Sequence, residues 1–111
     1  MATLSSHLLN SVNGTHANNV DIIIYQIKSN GEKKVFCETK TDDSGRLLKD
    51  FQLNDEDCKS EYEMICKTGN YFSEKKIVSE ITVKFNMPDP NKKYHIPIII
   101  SPNGYSIGWT D

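Results

Sequence analysis

The chain is short of arginine: of its 13 basic residues only one, Arg46, is an arginine, and the rest are lysines. Neither sign of charge dominates. Thirteen basic residues face 15 acidic ones, a formal net charge of -2, so nothing steers the protein to nucleic acid or to an anionic membrane. The pairs Lys33-Lys34, Lys75-Lys76 and Lys92-Lys93 read as solvated edges or turns. Cysteines are few and odd in number, Cys37, Cys58 and Cys66. No two are closely spaced, which argues against a disulfide framework and against a zinc knuckle. No apolar run is long enough to span a membrane. The opening "MATLSSHLLN" lacks the basic flank and apolar stretch of a secretory signal, and the expectation is a soluble, cytoplasmic protein. The metal-hydrolase patterns HxH and HExxH are missing, and no nucleophile elbow is present.

What is there is a set of short runs rich in β-branched residues, separated by turn signals. "DIIIYQIKSNGEKKVFCETKTDDSG" reads as strand, Asn30-Gly31 turn, strand and Asp/Ser-Gly turn. The Asn-Gly pair is expected to supply the positive φ values of a tight hairpin. "ITVKF" alternates, with Ile81, Val83 and Phe85 facing one way and Thr82 and Lys84 the other. "YEMIC" is a shorter strand candidate, and its Cys66 reads as a small buried hydrophobe. "YHIPIII" is another strand, in which Pro97 predicts an edge position or a bulge because proline cannot donate to a ladder. "NDEDCKSE" reads as polar loop. "NYFSEKKIVSE" reads as a helix of about two turns, with Asn70 as its cap. About seven or eight short strands in a chain of this length predict one domain, residues 1–111, folded as an all-β two-sheet sandwich. A small α+β fold is the alternative. A core this small gains from oligomerisation, and pairing of edge strands between subunits is one route to it.

The two-residue period puts Tyr94, Ile96, Ile98 and Ile100 on the core face of the "YHIPIII" strand. His95, Pro97, Ile99 and Ser101 take the other face, towards solvent or towards a second surface such as a subunit interface. His95 is thus either a solvated, hydrogen-bonded histidine or a chemical group. His7, in "TLSSHLLN", alternates less cleanly, and its facing stays open. His16 lies in what reads as a polar loop, "NGTHANN", and carries little weight. Arg46 follows the turn signal "DDSG" and offers five donors in a rigid fork, suited to a planar anion or an array of carbonyls. Two histidines and an arginine are enough to bind and hydrolyse a planar, oxygen-rich molecule. One imidazole takes a proton from water, while the guanidinium holds the substrate and stabilises developing negative charge. His7 and His95 lack a close-spaced third ligand, so no metal is implied.

Three blocks go further. They are "LSSHLLNSVNGTHANNVDIIIYQI", "TDDSGRL" with "TGNYF" after it, and "KKYHIPIIISPNGYS". In this order, and spanning nearly the whole chain, they resemble the transthyretin-like family and, within it, the 5-hydroxyisourate hydrolases. The resemblance implies a two-sheet sandwich with a short helix, assembled as a homotetramer, a dimer of dimers around a solvent channel. It implies that His7, Arg46 and His95 match the hydrolases' catalytic set, which hormone carriers of the same fold lack. The implied reaction, in urate degradation, turns 5-hydroxyisourate into 2-oxo-4-hydroxy-4-carboxy-5-ureidoimidazoline, with no cofactor. The histidines would deprotonate water and relay the proton, either one being the base. Arg46 would hold substrate oxygens through charge-assisted hydrogen bonds.

The tail departs from the pattern. Where the family ends in Tyr-Arg-Gly-Ser, this chain has Gly108, Trp109, Thr110 and Asp111. Those positions line the family's pocket, so Gly108, Trp109 and Asp111, with Ser106 in the preceding turn, are expected substrate-pocket residues. A tryptophan for an arginine removes a cation and adds an aromatic surface able to stack on a planar ring. Asp111 adds a carboxylate that disfavours an anionic ligand. Three readings follow: a hydrolase with a rebuilt pocket wall, a hydrolase of a related cyclic amide, imide or ureide, or a small-molecule binder without turnover. Trp109 packed over a subunit interface is the plainer alternative.

Overall fold

The computed structural model describes residues 1–72 and 77–108. Among them lie nine strands: β1 (Ala2–Asn10), β2 (Thr15–His16), β3 (Asp21–Ile27), β4 (Lys33–Lys40), β5 (Arg46–Phe51), β6 (Glu61–Cys66), β7 (Ile81–Asn86), β8 (Lys93–Ser101) and β9 (Gly104–Ile107). Two short helices, α1 (Asp55–Lys59) and α2 (Thr68–Tyr71), join them. The strands form the two sheets of an all-β sandwich. One sheet has the order β2-β1-β8-β9, with β5 also paired to β1, and the other has the order β4-β3-β6-β7. Along one side β1 pairs with β5 through residues 2–7 and with β2 through residues 9–10. On its other side β1 runs parallel to β8.

Alternation builds the core. On β1, Ala2, Leu4, Ser6, Leu8 and Asn10 point inwards, so Ser5, His7 and Leu9 point outwards. That places His7 on the outer face, a facing the sequence left open. On β8, Tyr94, Ile96, Ile98 and Ile100 are buried while His95, Pro97, Ile99 and Ser101 look away, as the two-residue period predicts. These side chains pack in one cluster with the buried Ile22, Ile24, Tyr62, Met64 and Cys66 of the other sheet. Each fully buried Leu or Ile contributes about 1.5–3 kcal/mol by leaving water. Burial pushes the Cys66 thiol up to about 12, which makes it inert. The buried Ser6 hydroxyl donates to the Ile96 carbonyl at 2.6 Å, which satisfies a polar group inside the apolar layer.

Three local expectations are corrected. "NDEDCKSE" is not a loop. Asn54 Oδ1 accepts from the Asp57 N–H at 2.8 Å and Asp57 Oδ2 accepts from the Asn54 N–H at 3.1 Å, a reciprocal cap that starts α1. The helix expected from Asn70 onwards lies earlier, over Thr68–Tyr71, with Lys67 in the cap position. Asn70 sits inside its last turn, residues 77–80 are not helical, and residues 73–76 of the expected span lie outside the described residues. At the Asn30-Gly31 turn only Gly31 takes a positive φ, 88°. Asn30 contributes its side chain instead, accepting from the Glu32 N–H at 2.9 Å. Among the described residues Pro97 stands at the last contact between β8 and the β9 side: its carbonyl takes the Gly108 N–H at 3.1 Å. The rung that its missing N–H would fill lies past the end of β9.

Candidate active site

The "TDDSGRL" turn positions Arg46. Asp42 Oδ1 accepts from the N–H groups of Ser44, at 2.8 Å, and Arg46, at 2.9 Å. These two donors hold the Asp42 carboxyl below its ordinary range, the Arg46 N–H first. Gly45 then takes a φ of 71°. A Cβ there would stand 2.6 Å from the Leu8 carbonyl oxygen and 2.9 Å from the Ala17 nitrogen, so only glycine fits. Its own carbonyl accepts from the Leu8 N–H at 2.8 Å. The turn is thereby stapled to β1 and delivers Arg46 directly opposite His7.

Residues in register across neighbouring strands share a face, and three such rows cross the outer side of this sheet. In the first, Leu48 of β5, Ser5 of β1 and His95 of β8 stand side by side. In the second, Arg46, His7 and Pro97 are aligned, with Gly108 beyond Pro97. In the third come His16, Leu9, Ile99 and Ser106. Arg46, His7, His95, Ser106 and Gly108 therefore gather on one face, and His16 joins them. Trp109 and Asp111 lie outside the described residues.

Each histidine has a partner. His95 Nδ1 lies 2.8 Å from Ser5 Oγ. His7 Nε2 lies 2.8 Å from His16 Nδ1, with the ring centroids 4.9 Å apart. The His7 pKa is lowered from its ordinary 6.5, first by partial burial, then by the charges of Arg46 and His16, while the Ser44 carbonyl pulls the other way. At neutral pH His7 is therefore mainly the free base. Arg46 makes no ion pair among the described residues, where every ion pair joins a lysine to a carboxylate. Its fork is available to a ligand. No cluster of three metal-ligating side chains occurs among the described residues.

Among the described residues no enclosed pocket forms over this face of the single chain. A recess of about 210 Å³ beside Arg46, lined by Asp42, Leu48 and Lys49 among others, does not include His7 or His95. A larger one of about 440 Å³, around Asp21, Glu38 and Lys67, lies on the other sheet. Two residues that sequence reasoning passed over belong here. His16 was read as loop, but Thr15 and His16 pair with the end of β1. Ser5 shares the outward period of His7, a signal that was visible, but its pairing with His95 rests on a parallel register between segments 90 residues apart.

A profile of the HIUase/Transthyretin family matches residues 4–107. The chain belongs to this family. Among its relatives, the 5-hydroxyisourate hydrolase of Salmonella typhimurium is 35% identical over 106 residues, covering 93% of this chain and 76% of its own. The structure of Klebsiella pneumoniae 5-hydroxyisourate hydrolase matches with a TM-score of 0.79 and 22% identity over 100% of both chains. Sea bream transthyretin in complex with thyroxine matches with a TM-score of 0.82 and 20% identity, over 96% of this chain and 93% of the other. At such identities the structural likeness establishes the transthyretin fold and does not separate a 5-hydroxyisourate hydrolase from a transthyretin.

Proposed function

We propose that this transthyretin-family chain hydrolyses 5-hydroxyisourate to 2-oxo-4-hydroxy-4-carboxy-5-ureidoimidazoline, in the cytoplasm, as a step of urate degradation. The observation that carries the reading is the alignment of Arg46 with His7, and of His95 two residues back on the adjacent strand, all on one outer face. That a relative matched along 93% of this chain is named for the same reaction supports it. In the proposed step the Arg46 fork holds substrate oxygens and faces the negative charge that builds on the attacked carbonyl. One imidazole accepts a proton as the water oxygen bonds to the ring carbonyl carbon. The ring C–N bond then breaks, the departing nitrogen takes a proton relayed by the imidazoles, and the new carboxylic acid loses its proton to solvent to leave a carboxylate. With Nδ1 engaged by Ser5, His95 keeps Nε2 for this work. The sum is water plus cyclic amide, and no cofactor enters.

An open sheet face must be closed to exclude bulk water. The exposed Leu48 (69%) and Ile99 (44%) stand in the same rows as the polar set, which suits a second copy of the chain as the lid. The proposed assembly is a homotetramer, a dimer of dimers, of one domain per subunit over residues 1–111. Ser106, Gly108, Trp109 and Asp111 are proposed to line the pocket, with the Trp109 indole stacked on the planar ring. The same tryptophan, standing where the family has arginine, favours a second reading as a binder without turnover or a hydrolase of a related cyclic amide. The test follows the ultraviolet absorbance of freshly made 5-hydroxyisourate with the wild type, His7→Ala, Arg46→Ala and His95→Ala. Acceleration that collapses in all three variants supports the hydrolase. Decay at the spontaneous rate in the presence of folded wild type removes it.

A further inference from the structure

A histidine outside the proposed catalytic set is held against it. His16 presents Nδ1 to His7 Nε2 at 2.8 Å. Local structure builds this contact. Asn13 Oδ1 accepts from the Thr15 N–H at 3.1 Å and from its hydroxyl at 2.6 Å. Thr15 and His16 pair with Asn10 and Leu9, and the Ala17 N–H donates to the Leu8 carbonyl at 2.9 Å. Gly45 leaves room on the far side, since a Cβ there would come 3.1 Å from the His16 Cβ.

A hydrogen bond between two imidazoles needs one nitrogen with a proton and one without. Two imidazolium rings cannot make it, so the pair binds one extra proton at most while the bond lasts. In general, the protons of two imidazoles so linked belong to the pair and not to either ring. The groups that bear on His7 come from every neighbouring segment: Arg46 on β5, His95 on β8, His16 on β2, and Asp42 with the Ser44 carbonyl in the turn before β5. Among the described residues Asp42 is the one carboxylate of this set, and its side chain already accepts from two backbone N–H groups. The surroundings thus oppose a second proton on the pair.

We propose that His16 is a positioning residue: it anchors the His7 ring through Nε2 and shares a single titrating proton with it, so that His7 meets the reaction in one orientation and one protonation state. The catalytic consequence rests on the hydrolase reading, whereas the coupling of the two rings does not. Two measurements keep them apart.

The first is a ¹⁵N-resolved NMR titration of the imidazoles in the wild type, His16→Ala and His16→Gln, with no substrate present. His7 and His16 should move together in two steps in the wild type, and His7 should titrate in one step at a different midpoint in both variants. A His7 curve unchanged by His16→Ala overturns the proposal. The second is the pH profile of kcat/KM for 5-hydroxyisourate. His16→Ala should lower neutral-pH kcat/KM about tenfold, as loss of a partner that orients a functional imidazole commonly does, and should move the acid limb. His16→Gln keeps a hydrogen-bonding side chain that does not titrate, so it should recover most of the neutral-pH activity and leave the limb displaced. An acid limb that stays in place in both variants, with active wild type, also overturns the proposal. A wild type without turnover removes the hydrolase reading and leaves the titration to decide the coupling.

Discussion

The two outer faces of this sandwich are made by the same alternation, yet they carry different chemistry. Across β4, β6 and β7, cations and anions are matched. Lys33 meets Glu63 at 3.1 Å, Lys84 lies 3.7 Å from Glu63 and 3.8 Å from Glu61, and the Lys33 ammonium lies over the Tyr25 ring at 4.6 Å. The exceptions on that face are Glu38, which makes no ion pair among the described residues, and the exposed Val35. Across β5, β1, β8 and β9, the arginine has no carboxylate partner among the described residues, three histidines gather, and Leu48 and Ile99 interrupt them with apolar surface. The difference between the faces is thus one of degree in charge pairing, and it lies in the arginine and the three histidines.

Substitutions can break that contrast, and the largest effect belongs to the unpaired face. Arg46→Ala or His95→Ala should lower turnover of 5-hydroxyisourate by at least about 100-fold, with a melting temperature close to wild type because both side chains lie outside the core. Gly45→Ala comes next. At a φ of 71°, with backbone atoms 2.6 and 2.9 Å from the new Cβ, it should cost more than about 1 kcal/mol in urea unfolding and should reduce turnover by displacing Arg46. The third test is pH. Protonation removes a base, and the His7 pKa is lowered from 6.5 by burial, Arg46 and His16. With His7 as the base, the acid limb of kcat/KM therefore falls below pH 6.5, and a limb above that value assigns the base elsewhere. The smallest effect belongs to the paired face. Lys84→Ala should change stability by less than about 1 kcal/mol, as exposed ion pairs do, and should leave turnover unaltered.

How much of this was legible in the sequence differs from strand to strand. β8 was readable because four apolar side chains recur at every second position, and the outward facing of His95 followed at once. β1 was harder, since its inner face mixes Ala2, Leu4 and Leu8 with Ser6 and Asn10. Ser6 is tolerated inside only because the Ile96 carbonyl accepts its hydroxyl, a bond that no one-dimensional pattern contains. The grouping of His7, Arg46 and His95 came from a family resemblance and not from spacing, because the strand order that joins them depends on the parallel pairing of β1 with β8. Helix α1 was hidden by its own composition: a run of acidic and polar residues looks like loop until Asn54 and Asp57 are seen to cap each other. His16 was undervalued for a related reason, since a two-residue strand is too short to leave a period.

The parallel pairing of β1 with β8 also sets an order in time. Ser5 and His95 are 90 residues apart, and β1 has its place between β5 and β8 only when nearly the whole chain is present. During synthesis the sheet of β3, β4, β6 and β7 can assemble from nearby segments, while the other sheet waits for its last long strand. Contacts so distant along the chain are slow to close. A ribosome-bound fragment ending before Lys93 would carry His7, His16 and Arg46 but not His95, and so would lack the proposed catalytic set until β8 docks beside β1.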